Sequence, residues 1–320
     1  MNRPHSCRRL RLSSLLLLPL CIPATAQPSP AADPSVGEGH RLDFTGPDQG
    51  EYTFDTGVLR GTLHRGGKSL GLLPVTDVAS SKTLTKSYGW LSPYRILSAR
   101  TQHGYAAWDW ASQTERLPDG AVSVRWRAND SYPLDMTAVY RWKTPGAADL
   151  SLTVTARQEL AQLEVFVASY FEGFTQAFVY GQTGAEPAAA FVPALRADGV
   201  WHVFPRDDAA AQRIADGRWR HPPAPVTWVV RNRLAAPVAL RRNPELGLTA
   251  LVMAPATDCF AAYTPFGEEG HGSLYLSLLG GDLRAGQSAT GRARLVIGRG
   301  LTDEQAVQSY RDYLAELQRP

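Results

Sequence analysis

Short runs that alternate apolar and polar residues dominate the chain from about residue 50 onward. Tyr52-Thr53-Phe54 and Val58-Leu59-Arg60-Gly61-Thr62-Leu63 flank Asp55-Thr56-Gly57, a hairpin signal with glycine where a positive φ is needed. Pro118-Asp119-Gly120 leads into Ala121-Val122-Ser123-Val124-Arg125-Trp126, which repeats with period two. Further strands are expected over 134–142, 150–156, 163–170, 226–230, 248–253, 273–279 and 293–297. This many strands without interleaved helices predict an all-β fold, a large antiparallel two-sheet sandwich. Two segments differ. Residues 207–219 suit a short surface helix. Thr302 followed by Gln305 forms a capping box, and Ala306, Tyr310, Tyr313, Leu314 and Leu317 recur at helical spacing. A C-terminal helix over 302–318 is expected to dock on the sandwich and seal an edge.

The first residues have a different pattern. Arg3, Arg8, Arg9 and Arg11 precede the apolar run Leu15 to Ile22, and Ala24-Thr25-Ala26 has the small-x-small form of a cleavage site. The run is too short to span a bilayer. Residues 1–26 are therefore expected to be a signal peptide and 27–39 a flexible tether. Residues 40–320 remain as one β-sandwich domain, secreted or periplasmic, with no stable membrane insertion after cleavage.

Cleavage changes the charge picture. Removing four of the 33 basic residues leaves 29 against 30 acidic ones, so the basic excess of the whole chain is no sign of a nucleic-acid partner. Cys7 and Cys21 depart with the signal, and Cys259 remains without an internal disulfide partner. Its strand-like setting predicts a buried, inert thiol. No His-x-His or paired-cysteine spacing, phosphate-cradling glycine loop or nucleophile elbow is present, and no cofactor or metal is expected.

The C-terminal run Ser273-Leu274-Tyr275-Leu276-Ser277-Leu278-Leu279-Gly280-Gly281-Asp282-Leu283-Arg284-Ala285-Gly286-Gln287, with Ala293 to Ile297 and a closing helix, resembles the last strands of galactose-mutarotase-like β-supersandwich domains. The Asn-His followed by an aromatic pair that marks aldose epimerases is absent. The resemblance implies a carbohydrate or glycan ligand and leaves the reaction open.

Candidate chemistry lies in two clusters. Tyr88-Gly89-Trp90-Leu91-Ser92-Pro93-Tyr94-Arg95 and Gly104-Tyr105-Ala106-Ala107-Trp108-Asp109-Trp110 are rich in the flat rings that match sugar C–H faces. Read as a strand, the second puts Trp108 and Trp110 on one face and Tyr105 and Asp109 on the other. The second cluster is Glu268-Glu269-Gly270-His271-Gly272-Ser273-Leu274-Tyr275. If extended, it places Glu269, His271, Ser273 and Tyr275 on one side and Leu274, Leu276 and Leu278 in the core. Histidine titrates near neutrality, and a carboxylate two residues away can orient it for acid/base work. His271 with Glu269, assisted by His103 or Tyr94, is the expected catalytic set. Trp90, Arg95, Trp108, Asp109, Tyr263 and Arg65 are the expected substrate contacts, with Lys68 beside Arg65 suited to an acidic group. Tyr94-Arg95 and Tyr170 also suit a lyase, with a phenolate as base and arginine neutralising the acid. The expected function is acid/base chemistry on a sugar ring, lyase-like or epimerase-like. The rivals are a non-catalytic carbohydrate-binding module and a structural cell-surface domain of the same fold.

Overall fold

The computed structural model describes residues 41–48, 51–64, 69–184, 188–222 and 224–319. The expected signal peptide and tether lie outside these residues, as do Arg65 and Lys68.

Two sheets face each other, antiparallel throughout except for the parallel pairing of 229–230 with 201–205. One has nine strands, in the order 188–193, 176–183, 234–243, 248–253, 288–299, 147–156, 134–144, 122–126 and 112–116. The other has seven, in the order 229–230, 201–205, 259–265, 273–279, 164–170, 92–98 and 101–103. A four-stranded sheet of 41–48, 51–55, 59–64 and 72–77 carries the N-terminal hairpin, whose turn holds Gly57 at φ 82°. The β-sandwich expected from the alternation is the observed architecture. The strand bounds over 248–253 and 273–279 agree with the pattern, because each is a short apolar run ended by turn residues.

The inter-sheet core takes Val122, Val124, Trp126, Met136 and Tyr140 from the larger sheet. It takes Ile96, Val165, Val167, Leu274, Leu276 and Leu278 from the smaller one. Leu274, Leu276 and Leu278 thus occupy the side expected of them. The outer face of the seven-stranded sheet is also covered. Leu97, Phe166, Tyr170, Tyr263 and Tyr275 pack there with Trp219 and Ile214, which belong to the segment that follows 201–205. Strands 164–170, 259–265 and 273–279 are consequently buried at nearly every position.

Both expected helices are present. Asp208–Ile214 is capped by Asp207, whose carboxylate accepts from the Ala210 N–H at 2.8 Å. Asp303–Leu317 has the full capping box: Thr302 Oγ1 accepts from the Gln305 N–H, and Gln305 Oε1 accepts from the Thr302 N–H. It docks on the sandwich as expected, over interior strands and up to Phe191 of the edge strand 188–193. Ala306, Tyr310 and Tyr313 pack on Val238, Leu240, Leu251 and Met253, on the outer face of interior strands of the nine-stranded sheet. Those outward apolar residues need cover, and the helix stripe supplies it. No helix among the described residues is long and apolar enough to cross a membrane.

Candidate functional site

Two adjoining cavities open on the outer side of the seven-stranded sheet and share Tyr170 and His271. The first, of about 280 Å³, is lined by Lys86, Ser87, Tyr88, Tyr170, Glu269, Gly270 and His271. The second, of about 230 Å³, is bordered by Tyr94, Arg95, Tyr170, Trp201, Trp228 and Tyr275, among others. Together they form one aromatic-lined cleft, the kind of concave site with a few convergent polar groups in which ligands bind.

His271 sits at the junction. The segment 266–272 is a turn and not the extended run expected of it, and the strand begins at Ser273. Gly272 has φ 59°, and a Cβ there would lie 2.5 Å from the Phe171 carbonyl oxygen, so this corner needs glycine. The turn still pairs the two candidate groups. Glu269 Oε1 lies 2.8 Å from His271 Nδ1, and Glu269 Oε2 accepts from the His271 backbone N–H at 2.8 Å. A carboxylate on Nδ1 holds the proton there and leaves Nε2 as the lone-pair nitrogen. The imidazole is half exposed and packs edge-to-face with Trp201 at 5.2 Å. Lys86 Nζ donates to the Gly270 carbonyl, between the two paired residues.

The turn is anchored from beneath by Arg241, which is fully buried. Its guanidinium donates to the carbonyls of Phe174, Gly267 and Ser273 and to Thr264 Oγ1. Burial lowers its pKa to about 10, so it stays a cation at neutral pH.

Tyrosine hydroxyls form the floor. Ser273 Oγ donates to Tyr275 Oη at 2.7 Å, and the Tyr170 and Tyr275 rings pack edge-to-face at 5.8 Å. Burial pushes Tyr275 up to about 12 and Tyr170 well above the ordinary phenol value. Tyr170 is therefore a protonated donor near neutrality, not the phenolate base that its residue type allows.

The other predicted residues divide clearly. Tyr94 and Arg95 border the cleft. Trp108 is buried behind it, stacked between Tyr94 at 4.1 Å and Tyr88 at 4.9 Å, and so props the wall. Trp108 and Trp110 do not share a strand face, because Ala107–Asp109 is a turn of 3₁₀-helix. That turn sends Trp110 into the inter-sheet core, stacked on Tyr132 at 4.2 Å. Asp109 is exposed on this turn, where its charge acts on Tyr132. Trp90 is fully buried in the inter-sheet core and donates to the Tyr170 carbonyl, so it supports the strand and does not meet a ligand. Tyr263 is likewise fully buried beneath Trp228, and its hydroxyl meets Ser277 at 3.0 Å. His103 pairs with Ile96, a core residue, and bonds Ser98 Oγ at 2.8 Å, which puts its ring on the opposite face of the sheet from the cleft.

Sequence reasoning passed over Lys86, Trp219 and Trp228. Trp219 ends the expected helix and Trp228 lies in the expected strand 226–230, on either side of Pro222, Pro223 and Pro225, and neither pattern tied them to the cleft. A pair of tryptophans in an otherwise polar, proline-rich segment is the signal that was there to read.

No family model matches the chain, and no curated protein matches it. Solved structures of the kind suggested by the C-terminal strands are similar to it. A galactose mutarotase-like protein from Lactobacillus casei ATCC 334 shares 13% identity over 78% of this chain and 100% of its own, with a TM-score of 0.47. Galactose 1-epimerase from Lactobacillus acidophilus NCFM shares 10% identity over 81% and 98%, with a TM-score of 0.45. An aldose epimerase homologue from C. elegans shares 10% over 75% and 96%, with a TM-score of 0.44. Likenesses this distant leave the chemistry of the cleft to be read from its own residues.

Proposed function

We propose that the chain is an exported protein that acts on carbohydrate, with acid/base chemistry on a sugar ring of a lyase-like or epimerase-like kind. The observation that carries this reading is the His271–Glu269 pair at the junction of two aromatic-lined cavities. Trp201, Trp228, Tyr94 and Tyr170 offer rings to sugar C–H faces. Glu269 keeps the Nδ1 proton in place, and His271 Nε2 takes a proton from the ring. Tyr170 and Tyr275, held protonated, supply donors on the floor.

The test is turnover of a glycan panel by the wild type and by His271→Ala. A general base contributes about 10²- to 10⁴-fold, so the variant should lose at least about 100-fold. New ultraviolet absorbance from unsaturated uronates would identify elimination, and a change of ring stereochemistry by NMR would identify epimerisation. Turnover that is unchanged in the variant removes His271 from the reaction.

A binding module is the second reading, favoured by one observation: His103 lies on the other face of the sheet, so among the described residues no second imidazole stands opposite the His271–Glu269 pair. That reading expects glycan binding without turnover, retained in His271→Ala.

A further inference from the structure

We infer that the cleft takes a sugar bearing a carboxylate and that Arg95 is the residue that receives it. The inference rests on the sugar-cleft reading and narrows it to an acidic substrate class.

Arg95 is only 2% exposed, yet its side chain borders the second cavity. No carboxylate among the described residues forms an ion pair with it. Its Nε has no hydrogen-bond acceptor. Nη1 reaches Gln102 Oε1 at 3.4 Å and Nη2 reaches Tyr94 Oη at 3.3 Å, both long. The one short bond is from Nη2 to the Ala224 carbonyl, at 2.6 Å.

The other buried arginines are served differently. Arg218 meets Glu164 and Asp216, and Arg294 meets Asp149 and Glu316. Arg241 lacks an acid but spends its donors on four oxygens. Arg95 combines a buried charge, an idle N–H and a cavity wall. A buried cation without a counter-ion is unfavourable, and a ligand carboxylate supplies the charge and a closer acceptor for the Nη groups, whose bonds to Gln102 and Tyr94 are long.

Geometry selects a planar anion. The guanidinium lies against the rings of Tyr94, at 5.0 Å, and Trp219, at 5.2 Å. The N–H groups lie along the edge of the guanidinium, the side with which a planar carboxylate pairs. Charge also orients the ligand. At one end of the cleft Lys86 and Glu269 offset one another, while Arg95 at the other has no acidic partner among the described residues, so the carboxylate lies at Arg95 and the rest of the ring extends towards His271.

The test is calorimetric titration of the full chain with tetrasaccharides of galacturonate, glucuronate and mannuronate, their methyl esters, and neutral and sulfated galactotetraose. At least one uronide should bind about 10- to 100-fold more tightly than its methyl ester, the range expected of a charge-assisted bond. Arg95→Met should reduce that uronide to the level of its ester. Should Arg95→Met fail to fold, the acid-against-ester comparison on the wild type decides alone. Equal binding of uronides, esters and neutral sugars would overturn the acidic class and leave the sugar cleft standing. Preference for the sulfated sugar would overturn the carboxylate. Binding of no sugar in any series would overturn both readings.

Discussion

Two histidines away from the cleft set a pH dependence that belongs to single residues. His202 is fully buried, with Nε2 at 3.1 Å from the Gly199 carbonyl, and His103 is partly buried against Ser98. Burial lowers the pKa of each below 6.5. The unfolded chain therefore binds more protons than the folded one just below pH 6.5. Stability is complete above that pH and falls as the pH drops toward the depressed native values, by at most about 1.4 kcal/mol per pH unit for each ring. Thermal melting between pH 7.5 and 5 should show this decline. His202→Gln should flatten it, and a profile that is equally steep in the variant would assign the effect to other groups.

At the scale of elements, the turn 266–272 depends on a neighbour from another sheet. Arg241 stands on 234–243 in the nine-stranded sheet, while the carbonyls it binds are those of Phe174, of Gly267 in the turn and of Ser273 just after it. Arg241→Met leaves the Phe174, Gly267 and Ser273 carbonyls without that donor, at a cost of about 3 kcal/mol or more. The expected result is a lower melting temperature, with hydrogen exchange increased first over 266–272. Uniform exchange across the chain would deny Arg241 this local role. The C-terminal helix offers a milder case. Thr302→Ala removes one half of the capping box and should cost about 1 kcal/mol, measured by denaturant unfolding.

At the scale of the whole molecule, one sheet buried on both faces makes the cleft. The rings in the inter-sheet core, such as Trp90 and Trp126, are structural, and Trp201 and Trp228 are positioned to report a ligand. Sugar binding should change tryptophan fluorescence, and Trp201→Phe should remove much of the change while the fold persists. Export is a prediction at the same scale. Expressed with its own N-terminus in an exporting host, the protein should appear outside the cytoplasm beginning at Gln27. Mass spectrometry of an uncleaved 34.9 kDa chain in the cytoplasm would reject the signal-peptide reading.

What was legible in the sequence was local. Period-two alternation marked the strands, and Thr302 with Gln305 marked the helix start, because side-chain period and capping act over a few residues. His271 and Glu269 were legible as a pair because a single residue, Gly270, separates them. Their turn was harder to read, since Gly270 and Gly272 permit both extended and turn backbone. Trp90, Trp108 and Tyr263 could not be sorted by sequence, since an aromatic ring suits a core and a ligand wall equally. By itself, then, the sequence determined the strand-rich fold, the docked helix and the candidate pair. Only the tertiary structure decided which face of the seven-stranded sheet holds the cleft and which side chains meet there. Alternation along a strand distinguishes two faces but not what covers each one. Here residues from 86–95, 170, 201, 219–228 and 269–275 converge only through pairing between strands far apart in the chain.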